Sequence, residues 1–68
     1  MNEKILEIAY EKAKEKGEDP DTYDISIVEE PEIWRVEFLP KAKDRLGGGF
    51  RVEIGKDDLE VKRVVYYQ

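Results

Sequence analysis

The second half of the chain contains two five-residue stretches with the same pattern, WRVEF at 34–38 and FRVEI at 50–54. In both stretches apolar residues alternate with charged ones, and this period of two is typical of a strand with one buried and one solvated face. Pro40 and the three glycines at 47–49 lie between them and interrupt the pattern. We therefore expect two separate strands that share one apolar face.

A further strand precedes this pair. Tyr23, Ile25 and Ile27 alternate with polar residues, which predicts a strand of the same half-buried kind. The segment at 29–32 (EEPE) predicts a tight turn into the next strand, and the segment at 55–58 (GKDD) predicts a hairpin turn after FRVEI.

The last strand does not follow the simple alternation. Continuing it after Val61 would point Arg63 into the core. A β-bulge near Lys62 would change the side-chain direction, so that Val64 and Tyr66 point inward instead. We expect the bulge.

A helix is predicted over 3–16, because apolar residues such as Ile5 and Ala9 recur there at helical spacing. Asn2 is placed to cap its beginning, and Gly17 is a typical residue for its end. Together the elements predict an α+β fold for a single small domain at 1–68. One N-terminal helix packs on a four-stranded antiparallel meander in the order α-β-β-β-β, and the other face of the sheet is charged and wet. The side chains expected to dominate stability are Trp34, Phe38, Phe50 and Ile54.

The composition narrows the function classes. The 68 residues carry 17 acidic and 12 basic side chains, a net charge of −5, with no histidine and no cysteine. An acidic surface disfavours nucleic acid and favours a basic protein partner. Without imidazole or thiol groups the usual catalytic bases and nucleophiles are missing, so we expect no enzyme and no cofactor. No apolar run is long enough to cross a membrane and no leader is recognisable, which predicts a cytoplasmic protein.

The acidic connector has some features of a metal site with oxygen ligands. Asp19, Asp21, Asp24 and Glu30 have roughly the spacing of a calcium loop. Such a loop needs glycine at its sixth position, where this chain has Asp24. We therefore expect a solvated connector and no metal.

Partner-contacting residues are expected in the long loop before the third strand and at the end of the chain. Glycines there allow positive φ or close approach of another backbone, and exposed aromatic rings are common in interfaces. The candidate residues are Arg45, Gly47, Gly48, Gly49, Tyr66 and Tyr67. We expect a monomer, or a weak homodimer through an edge strand.

The order of motifs from 34 to 68 resembles the small nuclear-transport-factor-2-fold immunity proteins of bacteria. The residues that carry the resemblance are WxVxFxP at 34–40, GGG at 47–49, VxI at 52–54, KDD at 56–58 and the closing YQ. This resemblance implies a cytosolic protein that neutralises a toxin by direct binding, without chemistry on its partner.

Two other functions are compatible with the same sequence. The helix-then-meander order is also similar to PepSY-type and cystatin-like domains, which bind or inhibit peptidases, although the QxVxG loop of cystatins is missing. A structural or engineered domain with no native partner also fits the 43% of charged residues and the absence of cysteine and histidine.

Overall fold

The structure is a computed structural model that describes residues 2–41 and 48–67, without the side chain of Asn2. Its elements are α1 (Asn2–Glu15), a short 3-10 turn (Pro20–Thr22), β1 (Tyr23–Glu29), β2 (Ile33–Pro40), β3 (Phe50–Gly55) and β4 (Val61–Tyr66). The strands form one antiparallel sheet in the order β1-β2-β3-β4. The predicted α+β meander is confirmed.

The helix ends as its sequence predicts. Gly17 has φ +86°. Its N–H donates to the Lys14 carbonyl at 3.0 Å, while the Glu18 N–H donates to the Ala13 carbonyl at 2.9 Å. These two bonds form a Schellman motif, which satisfies carbonyls that the last turn leaves free. At the other end α1 begins at Asn2, one residue earlier than expected. No helix in the described part of the chain is long and apolar enough to cross a membrane.

The core lies between α1 and the sheet. The helix packs on β2, β3 and β4. The buried side chains are Ile5, Ala9, Ala13, Tyr23, Val36, Phe38, Phe50, Val52 and Ile54. At their centre the rings of Phe38 and Phe50 stack with centroids 4.5 Å apart and planes within 9°. Tyr23 meets Phe50 edge-on at 5.2 Å. Each of the large core side chains contributes about 1.5–3 kcal/mol through burial.

Trp34 is less buried than expected. It points toward the core but is only half-buried. Because it lies near the start of β2, beside the hairpin turn at 55–58, Lys56 Nζ covers its ring at 5.2 Å from the centroid. Of the four residues expected to dominate the core, Trp34 is therefore the one that keeps contact with solvent.

The opposite side of the sheet faces away from α1, and we call it the open face. It is formed by Asp24, Ser26, Val28, Arg35, Glu37, Leu39, Arg51, Glu53, Arg63 and Val65. The expectation of a charged face is confirmed, but the expectation of a fully wet one is wrong at Glu53, which is only 7% exposed. Neighbouring arginines surround this carboxylate and exclude water from it.

Candidate protein-binding face

The position of Arg63 on the open face is set by a bulge in β4. Val61 pairs with Ile54 and Arg63 pairs with Glu53, so Lys62 is the extra residue between them. The predicted bulge is confirmed. Because of it, Val64 faces the core and Arg63 faces the open side, where its charge needs no burial.

Glu53 joins two arginines into one ion-pair cluster. Its Oε1 accepts a hydrogen bond from Arg63 Nε at 2.8 Å, and its Oε2 accepts one from Arg51 Nε at 2.7 Å. The hydrogen bond from Arg63, supported by that from Arg51, lowers the pKa of the Glu53 carboxyl against the opposing effect of burial. A nearly buried carboxylate with both oxygens occupied holds the two guanidinium groups in defined positions. We call these three residues the Glu53 cluster.

Tyr67 borders the Glu53 cluster. The guanidinium carbon of Arg51 lies 5.8 Å from the centre of the Tyr67 ring. Hydrogen bonds to Glu53 and to Tyr67 raise the pKa of Arg51. Arg63 is more open to solvent, with 64% of its side chain exposed. The cluster therefore offers one arginine packed on an aromatic ring and one that reaches into solvent.

A second set of ion pairs lies beside the Glu53 cluster, on β2. Arg35 pairs with Glu53 in the backbone register, but its side chain contacts other carboxylates. Its Nη1 donates to Glu30 at 2.7 Å. Its Nε lies 3.0 Å from Glu37 Oε2 without forming an aligned hydrogen bond. Arg35 and Glu37 are each less than one-third exposed, so these side chains also have restricted freedom.

Gly48 and Gly49 form the corner next to Tyr67. Their φ angles are +94° and +88°. A Cβ on Gly49 would lie 2.8 Å from the Phe38 carbonyl oxygen, so the backbone of β2 approaches this residue as closely as only glycine allows. The Gly49 carbonyl accepts the Tyr67 N–H at 2.9 Å, which ties the end of the chain to this corner. The interpretation that these glycines serve positive φ is confirmed for Gly48 and Gly49, and close approach of another backbone is confirmed for Gly49.

Tyr66 lies on the other side of the sheet from Tyr67. Its ring is 5.2 Å from Phe50 and is still 49% exposed. Burial, then the negative charge and hydrogen bonding of Glu18, raise the pKa of Tyr66. Tyr23 donates to the same Glu18 carboxylate at 2.7 Å. Tyr66 therefore belongs to the seam between the helix end and the sheet, and not to the open face.

No protein-family model, no curated protein and no solved structure gives a significant match to this chain. The resemblance to immunity proteins therefore stays a prediction.

The structure brings together part of the predicted contact set. Gly48, Gly49 and Tyr67 meet at one corner, and Tyr66 lies beside it on the opposite face. Arg45 and Gly47 lie outside the described residues. Sequence analysis did not single out the Glu53 cluster. The sequence nevertheless contained an indication of it, because the predicted bulge that turns Val64 inward also brings Arg63 beside Glu53.

The acidic connector uses its carboxylates locally. Asp19 accepts a hydrogen bond from the Asp21 N–H at 3.1 Å and caps the 3-10 turn. Among residues 2–41 and 48–67, no group of three or more potential metal-ligating side chains is found.

Proposed function

We propose that this chain is a non-catalytic protein-binding module of the immunity type, which neutralises a toxin by direct binding through its open face. The observation that carries the proposal is the Glu53 cluster bordered by Tyr67. Arginine and tyrosine are the residue types that most often dominate binding energy in protein interfaces. The cluster lies on a face that points away from the only long helix described.

Restricted side chains favour tight binding. A flexible arginine loses rotamer entropy when it enters an interface, which costs about 0.5–1.5 kcal/mol per side chain. Arg51 is held by Glu53 and by the Tyr67 ring, and Arg63 is held by Glu53. Part of that entropy is already lost in the free protein, so less is lost on association.

The overall charge supports a basic toxin. The chain carries a net charge of −5. Glu3, Glu7 and Glu11 are exposed along one side of α1, four residues apart. Carboxylates at this spacing repel each other and disfavour the helix slightly. Their long-range effect is to attract a positively charged partner and to raise its association rate, mainly at low salt.

The proposal is tested with the product of a gene adjacent to that of this chain. That product is expressed in bacteria with and without the chain, and growth is measured. We expect the wild-type chain to restore growth. The double variant Arg63→Gln, Tyr67→Ala should bind the purified toxin at least about tenfold more weakly, because it removes two central contacts. Lys4→Gln is the matched control, since Lys4 is exposed on the helix and away from the open face.

Two results would contradict the proposal. One is growth that stays inhibited when the folded chain is present. The other is a complex in which the double variant binds as tightly as Lys4→Gln. Inhibition of a peptidase without toxin binding would instead support the PepSY or cystatin-like alternative.

A further inference from the structure

The strand β1 forms an edge of the sheet. Among residues 2–41 and 48–67, its backbone is hydrogen-bonded to β2 on one side and to no strand on the other. Within Tyr23–Glu29 the pairing has no bulge, and the sequence YDISIVE contains no proline, lysine or arginine. Bulges, prolines and basic side chains are the features with which proteins usually protect an edge strand. The strand at the other edge, β4, has two of these features, because it carries the bulge at Lys62 and two basic residues.

The register shows which backbone groups of β1 point outward. The Glu30 N–H donates to the Ile33 carbonyl at 3.0 Å, directly beyond the last pair of the β1–β2 ladder. In an antiparallel ladder, hydrogen-bonded pairs alternate along the strand. Even-numbered residues such as Ser26 therefore bond to β2, while Ile25 and Ile27 direct their N–H and C=O groups to the free edge.

An incompletely covered apolar strip lies beside this edge. The helix packs mainly on β2, β3 and β4, which leaves β1 at the margin of the core. Ile8 of α1 and Val61 of β4 line the same groove, so the flank of α1 that carries Ile8 lies near β4. The other flank of α1 therefore lies near β1. The residues of this flank and of β1 are half-buried, and together they form what we call the β1 strip: Leu6, Tyr10, Ile25 and Ile27.

From the free edge and the β1 strip we infer that β1 pairs antiparallel with β1 of a second copy of this chain, with the two-fold axis at Ser26. In this register Ile25 lies opposite Ile27 of the second copy, and these are the residues whose backbone groups point outward. Asp24 lies opposite Val28 of the second copy, so no two like charges face each other.

This register is the best of those that the strand allows. A shift by one residue would pair an outward-pointing residue with an inward-pointing one and would place apolar side chains against polar ones. Moving the axis to Ile25 or Ile27 keeps the faces matched but shortens the ladder. Only the axis at Ser26 pairs all seven residues of Tyr23–Glu29 with their counterparts.

The pairing also covers the β1 strip. The two-fold axis of an antiparallel strand pair is perpendicular to the sheet, so both helices lie on the same face of an eight-stranded sheet. Ile25 and Ile27 of both copies then share one apolar surface between Leu6 and Tyr10 of the two helices. Each copy carries a net charge of −5, so repulsion weakens the dimer and added salt should strengthen it.

Cysteine cross-linking tests the register directly, because the chain has no cysteine of its own. The two Ser26 residues form a non-hydrogen-bonded pair, for which the Cα atoms are about 4.5 Å apart. That separation is within the range of a disulfide. We expect Ser26→Cys to give a covalent dimer under mild oxidation. Asp24→Cys should not, since its two copies are roughly 13 Å apart along the strands. The double variant Asp24→Cys, Val28→Cys should cross-link again.

Sedimentation measures the association without cross-linking. Ser26 is exposed and pairs with Glu37 of β2, so a lysine at this position is favourable in the monomer. Across the two-fold axis the two lysines would repel each other. Ser26→Lys should raise the dimer dissociation constant about fivefold. Ser26→Thr is the control and should leave it unchanged.

Three results would overturn the inference. They are equal cross-linking of the Ser26→Cys and Asp24→Cys variants, a wild-type chain that stays monomeric at millimolar concentration in high salt, and association that Ser26→Lys does not weaken. Toxin binding and dimerisation can be separated, because the Glu53 cluster lies on β3 and β4 and the dimer contact lies on β1.

Discussion

Arg63 pairs with Glu53 across β3 and β4 and donates from Nε to Glu53 Oε1 at 2.8 Å. The contact exists because one extra residue, Lys62, is inserted in β4. The same insertion keeps Val64 on the core side. One bulge therefore serves two purposes, since it completes the core and places an arginine on the open face.

Removing the charge of Glu53 should destabilise the fold. Glu53→Gln keeps the shape of the side chain but leaves Arg51 and Arg63 without their shared carboxylate. We expect a loss of about 1–3 kcal/mol in the free energy of unfolding at pH 7. Glu29→Gln is the control, since 61% of the Glu29 side chain is exposed, and it should cost less than about 0.5 kcal/mol. Urea unfolding checks both values, and equal effects of the two variants would contradict the role of Glu53.

The contribution of the Glu53 carboxylate to the free energy of unfolding should depend on pH. Its folded-state pKa is lowered from 4.5. A lowered pKa of an acid gives stability that is present above the unfolded-state value and is lost as pH falls through the folded-state value. The stability difference between wild type and Glu53→Gln should therefore be constant between pH 6 and 8 and shrink below about pH 4.5. Thermal unfolding across this range measures it, and a difference that grows in acid would have the wrong sign.

Deleting the bulge residue should be tolerated. Without Lys62, Val61 still pairs with Ile54 and Arg63 still pairs with Glu53, so the ladder becomes regular. Only the exposed ion pair of Lys62 with Asp58 is lost, which costs less than about 1 kcal/mol.

Deleting Val61 is the matched control for the bulge deletion. Without Val61, either Glu60 or Lys62 takes its place opposite Ile54, where Val61 packs against the core. We expect the Val61 deletion to lower the free energy of unfolding by at least about 1.5 kcal/mol, because an apolar side chain loses its burial and a charged one replaces it. Circular dichroism during thermal unfolding compares the two, and a Lys62 deletion that is as harmful as the Val61 deletion would contradict the bulge assignment.

Two glycines separate the cost of positive φ from the cost of close approach. Gly17 and Gly49 have φ of +86° and +88°, but an added Cβ at Gly17 meets nothing within 4 Å. Gly17→Ala should cost about 1 kcal/mol from the backbone conformation alone. Gly49→Ala should cost at least about 2 kcal/mol more, since its Cβ would lie 2.8 Å from the Phe38 carbonyl oxygen. Chemical denaturation of both variants gives the difference, and equal costs would mean that the approach of β2 is not tight.

Tyr66 should make stability fall in strong alkali. Burial and Glu18 raise its pKa above 10.0. The neutral Tyr66 side chain therefore contributes fully to stability below about pH 10, and this contribution is lost as pH rises through its folded-state pKa. Tyr66→Phe should flatten the stability profile above pH 10 and remove one tyrosine with a raised pKa from an ultraviolet titration. A titration curve that the variant leaves unchanged at high pH would contradict this contact with Glu18.

The order of elements was predictable because it depends on local chemistry. Alternation with a period of two identified β1, β2 and β3, and helical spacing followed by Gly17 identified α1. The bulge in β4 was also predictable, since a regular strand would have buried the charge of Arg63.

The arrangement of the open face was not predictable in the same way. The alternation in β3 predicts that Arg51 and Glu53 both face solvent. In the structure Glu53 is nearly buried, and its side chain links β3 to β4. Burial of a side chain on a sheet surface depends on neighbours from other strands, which are close only once the register is formed.

Periodicity, and the places where glycine and proline interrupt it, were enough to identify the helix, the four strands and the face of each strand side chain. The half-buried position of Trp34, the contact of Tyr66 with Glu18, and the cluster of Arg51, Glu53 and Arg63 became evident only in the folded chain. The reason is that these contacts join residues whose distance depends on strand register and helix position, which local patterns do not encode.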